Sequence, residues 1–216
     1  PGIGAHNYPK DLSDFITQYY REKGVEVLTG RKVMDIRSEE GKMIIETDQG
    51  ESLPVDHVVA GIGIRPNTAL AKEAGLQVEN GILVSEYLET SQPGIYAAGD
   101  VASFFNPQLD RRMRVEHEDN ALWMGQVAGE NMAGERIPYD HLPFFYSDLF
   151  DLGYEAVGEL SSKLEIVADW EVPYHKGILY YLDENQNVRG VLLWDVWGKV
   201  DEARGWIGKP LPVQAG

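Results

Sequence analysis

Apolar residues recur at helical spacing from about Lys10 to Lys23, where Leu12, Phe15, Ile16, Tyr19 and Tyr20 fall on one face and Gly24 supplies a stop. Val25 to Leu28 then reads as a short strand. Arg31 to Arg37 and Met43 to Thr47 alternate apolar with polar positions, Asp48-Gln49-Gly50 makes a turn before Ser52-Leu53, and a strand is expected over Val55 to Ala60. Thr68 to Ala74 is a short predicted helix, capped by Asn67 and closed by Gly75. Ile82 to Val84, Tyr87-Leu88 and a buried strand at Gly94 to Ala98 follow. Phe104 to Arg114 reads as an irregular, Arg-rich loop, and a helical run extends from about Val115 to Met132. After a linker at Pro138 to Pro143 the pattern is strand-rich: Tyr154 to Leu160, Leu164 to Trp170, Ile178 to Leu182 and Val188 to Trp194. Asp183 to Asn187 has the turn chemistry of a hairpin, and a last helix is expected from about Lys199 to Ile207.

One stretch in this pattern carries chemistry. Gly94-Ile95-Tyr96-Ala97-Ala98-Gly99-Asp100 ends in small residues and a carboxylate, and is followed by a loop and then the helical run from about Val115. Ala97, Ala98 and Gly99 allow close approach to the backbone, and Asp100 can accept hydrogen bonds from hydroxyl groups. The stretch reads as the outline of a polyol site at a strand's carboxyl end, or equally as a buried strand closed by an Asx-turn. The helix that follows begins near Glu116, His117, Glu118 and Asp119, and its first free amides can face an anionic ring edge. The same side chains also suit an ordinary helix N-terminus.

Composition narrows the classes. The chain has 216 residues, no cysteine and a formal charge of −16, from 35 acidic against 19 basic residues. Thiolate nucleophiles, disulfides and cysteine metal sites are excluded, and nucleic acid is an unsuitable partner for so acidic a chain. No apolar run reaches the length of a membrane span, and a cytoplasmic location is expected. The five histidines are scattered without a ligand pair at helical spacing, so no metal is expected.

The stretch Gly94 to Asp100 resembles the second FAD motif of the two-dinucleotide-fold flavoprotein reductases, the pyridine nucleotide-disulfide oxidoreductase superfamily. Asp56-His57-Val58-Val59-Ala60-Gly61-Ile62-Gly63-Ile64-Arg65-Pro66-Asn67 is similar to the strand and turn that close that family's NAD domain. Arg114 to Ala121 with Ala128 to Gly134, and then Phe145 to Leu149, Gly153 to Gly158, Lys176 to Leu182 and Gly190 to Trp194, are similar to apoptosis-inducing factor and its relatives. The resemblance implies an α/β plus α+β architecture. Its parts would be partial Rossmann-like dinucleotide-binding domains and a C-terminal antiparallel sheet with a helix. The implied divisions are 1–92 for the C-terminal part of an NAD(P)H-binding domain, 93–141 for the second FAD-binding segment and 142–216 for the last domain. Neither Gly2-Ile3-Gly4 nor Gly61-Ile62-Gly63 completes Gly-x-Gly-x-x-Gly, so the chain is expected to be the C-terminal portion of a longer flavoprotein whose N-terminal half is missing.

By resemblance, the intact protein would be an FAD-dependent NAD(P)H oxidoreductase passing electrons to a quinone, dioxygen or a small redox protein, and this chain alone would be inactive. The alternative is a slow redox-sensing flavoprotein whose reduction controls oligomerisation, with a homodimer as one outcome. The implied cofactor contacts are Asp100, after Gly99, on the ribityl chain, and the helix start at His117, Glu118 and Asp119 on the flavin pyrimidine. Tyr146 stands where the subfamily places an aromatic near the flavin ring, and reads equally as a core aromatic. Gly61 and Gly63 would let the dinucleotide approach, or simply turn the chain before Pro66.

Overall fold

A computed structural model of the chain describes residues 2–211 and divides into two compact units. The first holds residues 2–5 and 9–65, and the second holds residues 6–8 and 66–211.

The first unit is built on helix α1 (Lys10–Glu22), whose Leu12 and Ile16 are fully buried as the periodicity requires. Its polar stitch to the preceding residues is complete: Ser13 Oγ donates to Ile3 O at 2.7 Å, and Ile3 N donates to Thr17 Oγ1 at 2.9 Å. Gly2 lies so close that a Cβ there would come 2.5 Å from Thr17 Oγ1. Strands β1 (Val33–Glu39), β2 (Lys42–Thr47) and β3 (Ser52–Val55) form an antiparallel meander in that order. Cross-strand charge supports it, with Arg37 Nη1 2.7 Å from Glu46 Oε1 and Arg31 Nε 2.6 Å from Glu51 Oε2.

Two strand expectations fail here. Val25 to Leu28 carries no ladder, and of Val55 to Ala60 only Val55 lies in a strand. A strand needs a neighbour to complete its hydrogen bonds, and among the described residues neither segment has one. The apolar residues beyond β3 are correspondingly bare: Val59 is 96% exposed.

The second unit opens with α2 (Ala69–Glu73), closed by Gly75 in a left-handed conformation. Its N-cap is Thr68 and has no side-chain cap bond, whereas Asn67 was the expected cap. Asn67 Oδ1 accepts only a long bond, 3.4 Å, from Ala69 N. Strands β4 (Val78–Glu79), β5 (Gly81–Leu83), β6 (Ala102–Asn106) and β7 (Arg111–Met113) make a small sheet in sequence order, with β5 and β6 parallel. The irregular loop expected over Phe104 to Arg114 is therefore a hairpin. Asn106 Oδ1 closes it by accepting from the amides of Gln108 and Leu109, and Arg112 donates to the carbonyls of Val84 and Ser103, so the arginines stitch strands together. Gly94 to Ala98 is extended without being a strand. Tyr96 makes a single bridge to Glu89, Ala97 is buried and Ile95 is exposed.

Helix α3 (Glu118–Met132) packs Met124, Val127 and Ala128 with Val84, Leu88, Ala102, Phe104 and Tyr139 in one core. The C-terminal region is a five-stranded antiparallel sheet of β8 (Phe144–Leu149), β9 (Leu152–Gly158), β10 (Glu165–Val172), β11 (Lys176–Leu182) and β12 (Val188–Trp194), in the order β10-β11-β12-β9-β8. Helix α4 (Val200–Trp206) belongs to a second core, where Ala203 packs with Val157, Val191 and Leu193. The β11–β12 hairpin has the expected turn: Asp183 Oδ1 accepts from the amides of Asn185 and Asn187, both at 2.9 Å, and Gln186 adopts φ 63°.

Candidate functional site

The small residues before Asp100 dictate how closely that stretch can approach α3. Gly99 takes φ 74°, and a Cβ on it would sit 3.6 Å from the Ala121 Cβ. Its amide donates to Met124 Sδ at 3.2 Å, so a single turn of 3₁₀ helix, Gly99–Val101, lies against the first turns of α3. From that turn the Asp100 side chain projects into solvent, with no carboxylate partner among the described residues. Its carbonyl is held, because Arg114 Nη1 donates to Asp100 O at 2.9 Å. Arg114 itself is almost covered and pairs with Glu116 Oε1 at 2.6 Å. It passes over Gly81, where a Cβ would lie 2.9 Å from the Arg114 Cδ. The strand order, the glycine and the arginine together fix a free carboxylate beside a helix start.

At that start His117 is the N-cap, and its Nδ1 accepts from Asp119 N at 3.3 Å. The first helical bond runs from Ala121 N to His117 O at 3.0 Å. The amide of Asp119 is occupied by the cap, which revises the expectation that it was free, and Asn120 is fully buried, so Glu118 is the exposed residue of the first turn. The His117 ring meets Phe144, Phe145 and Tyr146 edge-on at 5.6, 5.5 and 5.5 Å. Tyr146 is 53% exposed and stacks on Phe144 at 6.1 Å, so it is a surface aromatic beside the helix start and not a core residue.

The Asp119 carboxylate is held from elsewhere in the chain. Its Oδ2 lies 2.6 Å from His141 Nε2, 3.2 Å from Phe144 N and 3.3 Å from Arg204 Nη2. The neighbouring Tyr139 phenol donates to Asn120 Oδ1 at 3.0 Å. Burial, followed by the Asp119 charge, pushes that phenol well above its ordinary range, so it stays protonated. His141 and Arg204 had no sequence signal as site residues, since nothing in local spacing links them to Asp119, whereas Arg114 opens the segment that carries the family resemblance.

Gly99 and Asp100 thus lie against the first turns of α3, and His117, Glu118, Asp119 and Tyr146 lie at its start, all within the second unit. Gly61 and Gly63 belong to the first unit, lie in an exposed segment without regular structure, and have open space where a Cβ would go. A carboxylate can accept hydrogen bonds from hydroxyl groups, and a helix start favours negative charge beside it. Among the described residues no group of His, Asp and Glu could hold a metal ion, and no helix is long and apolar enough to cross a membrane.

The chain is similar to known proteins. Residues 2–125 match the family described as pyridine nucleotide-disulphide oxidoreductase, and residues 128–173 match the mitochondrion-associated C-terminal part of apoptosis-inducing factor. Apoptosis-inducing factor 1, mitochondrial, of Dictyostelium discoideum is 39% identical over 229 residues, which cover 99% of this chain and 43% of that protein. Putidaredoxin reductase CamA of Pseudomonas putida is 38% identical over 151 residues, 68% of this chain and 36% of that one. Among solved structures, the ferredoxin reductase for the CYP199A2 system from Rhodopseudomonas palustris matches with a TM-score of 0.81 at 28% identity, covering 90% of this chain and 48% of that chain. The covalent putidaredoxin reductase–putidaredoxin complex matches with a TM-score of 0.80 at 32% identity, covering 93% and 48%. The chain spans less than half the length of these relatives.

Proposed function

From the premise that this chain belongs to the pyridine nucleotide-disulphide oxidoreductase family, we propose that it serves an FAD-dependent NAD(P)H oxidoreductase and contributes the side of the flavin site that holds the ribityl chain and the pyrimidine edge. The observation that carries the reading is the exposed Asp100 carboxylate, without a partner among the described residues, on a turn that lies against the first turns of α3. FAD, when bound, would supply the chemistry, taking a hydride from NAD(P)H and handing electrons to an acceptor. Asp100 accepts hydrogen bonds from the ribityl hydroxyls. The helix start at Glu118, with the positive end of the helix behind it, stabilises negative charge at the pyrimidine edge. Tyr146, flanked by Phe144 and His117, covers one side of the site and excludes water from it. No side chain of this chain needs to move a proton for that work.

The segments 1–92, 93–141 and 142–216 keep their proposed roles as NAD(P)H-domain remainder, second FAD segment and C-terminal domain. Turnover is proposed to require more of the protein than this chain, and Gly61 and Gly63 to face the nicotinamide nucleotide. A small redox protein is the acceptor that the relatives support, since two of them are named as reductases of ferredoxin-type proteins. Quinone and dioxygen are the competing acceptors. A second reading, a redox sensor whose reduction changes its association, is favoured by the match of residues 128–173 to the apoptosis-inducing factor C-terminal part.

The deciding experiment is a visible spectrum of the protein made from its complete reading frame, before and after anaerobic NADH. Flavin bands that bleach support the proposal. A colourless protein that gains no bands with added FAD refutes it. Rapid NADH oxidation with a ferredoxin-type acceptor separates the reductase from the sensor, for which slow turnover and NADH-dependent dimerisation are expected.

A further inference from the structure

Three carboxylates crowd the start of α3, at Glu116, Glu118 and Asp119, and a site meant to stabilise negative charge should not be ringed by anions. Glu116 is answered locally by Arg114 at 2.6 Å. Glu118 is exposed to solvent, which screens it. Asp119 has neither remedy: its side chain is only 12% exposed and stands on the first turn itself. What neutralises it comes from elsewhere in the chain. Arg204 of α4 brings Nη2 to 3.3 Å, while its Nε donates to Leu142 O at 2.9 Å and its Nη1 pairs with Asp201 at 2.9 Å. His141 Nε2 lies 2.6 Å away, and because a carboxylate only accepts, that nitrogen carries the hydrogen. Phe144 N completes the set at 3.2 Å, and the Trp123 ring stacks on His141 at 5.1 Å. The Phe144 ring also lies 5.7 Å from the guanidinium carbon.

We propose that Asp119, His141 and Arg204 form a positioning device that fastens the first turn of α3 to β8 and α4, cancels the Asp119 charge on that turn, and thereby sets the reduction potential of the bound flavin. This rests on the flavin reading above. Asp119 is then not a cofactor ligand but the residue through which α4 acts on the start of α3. Loss of the arginine uncovers the carboxylate and disfavours the reduced, more negative flavin. Loss of the carboxylate leaves the arginine's positive charge and favours it.

The test is the two-electron midpoint potential of the flavin in the protein from its complete reading frame, measured by dye-coupled spectroscopic titration for wild type, Arg204→Gln, Asp119→Asn and the double variant. Arg204→Gln is expected to shift the oxidised-to-reduced equilibrium about tenfold toward the oxidised form, about 30 mV more negative for a two-electron couple. Asp119→Asn is expected to shift it in the opposite direction, and the double variant to return near wild type. A structural role alone would move both single variants the same way or leave both unmoved, and either result overturns the inference. Asp119→Asn is isosteric and keeps hydrogen-bonding capacity, so it carries the test by itself if Arg204→Gln fails to fold. A wild-type protein that binds no flavin refutes the functional reading, and the inference falls with it. Flavin bound with an unmoved potential refutes the inference alone.

Discussion

Removing the Asp100 carboxylate should separate binding from folding, because the structure gives that group nothing else to do. The side chain is exposed and has no partner among the described residues, while the backbone contact that fixes the turn, Arg114 Nη1 to Asp100 O at 2.9 Å, survives any substitution. For Asp100→Ala the change in unfolding free energy is therefore expected to stay within about 0.5 kcal/mol, the usual range for surface positions. The loss in FAD affinity is set by hydrogen bonds to a charged acceptor, about 1.5–3 kcal/mol. That corresponds to a dissociation constant weaker by about 10- to 150-fold. Asp100→Asn keeps an acceptor without the charge and should fall between alanine and wild type. Deflavinated protein from the complete reading frame, titrated with FAD while flavin fluorescence is followed, gives the affinity, and urea unfolding of the same samples gives the stability. Unchanged affinity in Asp100→Ala refutes the ribityl assignment. A urea midpoint that falls in proportion to the affinity refutes the premise that the carboxylate is idle in the fold.

Two phenol deletions should have opposite signs. Tyr181 Oη is buried with no hydrogen-bond partner among the described residues, so Tyr181→Phe should stabilise by about 1 kcal/mol, whereas Tyr139→Phe strands Asn120 Oδ1 and should cost about 1–2 kcal/mol; urea midpoints read both. Gly81 has φ 107° and a Cβ there would meet Val101 O at 2.6 Å, so Gly81→Ala should destabilise by about 2–4 kcal/mol and weaken FAD binding by displacing the turn that carries Asp100; an unaffected melt would contradict the close approach. The meander should loosen in acid. Hydrogen bonds from Ser52 and Arg37 lower the pKa of Glu46, and those from Arg31 and Thr47 lower that of Glu51. Their contribution is present above the unfolded value of about 4.3 and is lost as pH falls through the lower folded values. Amide protection in β1–β3, taken relative to intrinsic exchange at the same pH, should fall below about pH 4, and Glu51→Gln should blunt that dependence.

What the sequence made legible was local. The β11–β12 hairpin was readable because Asp183, Asn185 and Asn187 satisfy one another within five residues, and α1 because its buried face repeats within one helix. Val25 to Leu28 and Val55 to Ala60 have the same strand-like composition, but a strand depends on a neighbour that no window of sequence contains. The β6–β7 hairpin was hidden by its arginines, which look like solvent-facing loop residues until their guanidiniums are seen on backbone carbonyls. The candidate site divides in the same way. Gly99, Asp100 and the start of α3 lie within about 20 residues and were found together, as was Tyr146 by its place in the family pattern. Asp119 was chosen as a first-turn acid and proves to be committed to His141 and Arg204, which lie 22 and 85 residues further on.

That last separation has a consequence during synthesis. With the chain emerging at about 5–20 residues per second, roughly 4 to 17 s pass between Asp119 and Arg204, the 85-residue interval that must close before the ion pair exists. Throughout that interval the helix start carries an uncancelled, half-anchored carboxylate. The first turn of α3 is fully fastened only once α4 has been made and has docked, so this corner of the second unit sets long after its own helix has been made.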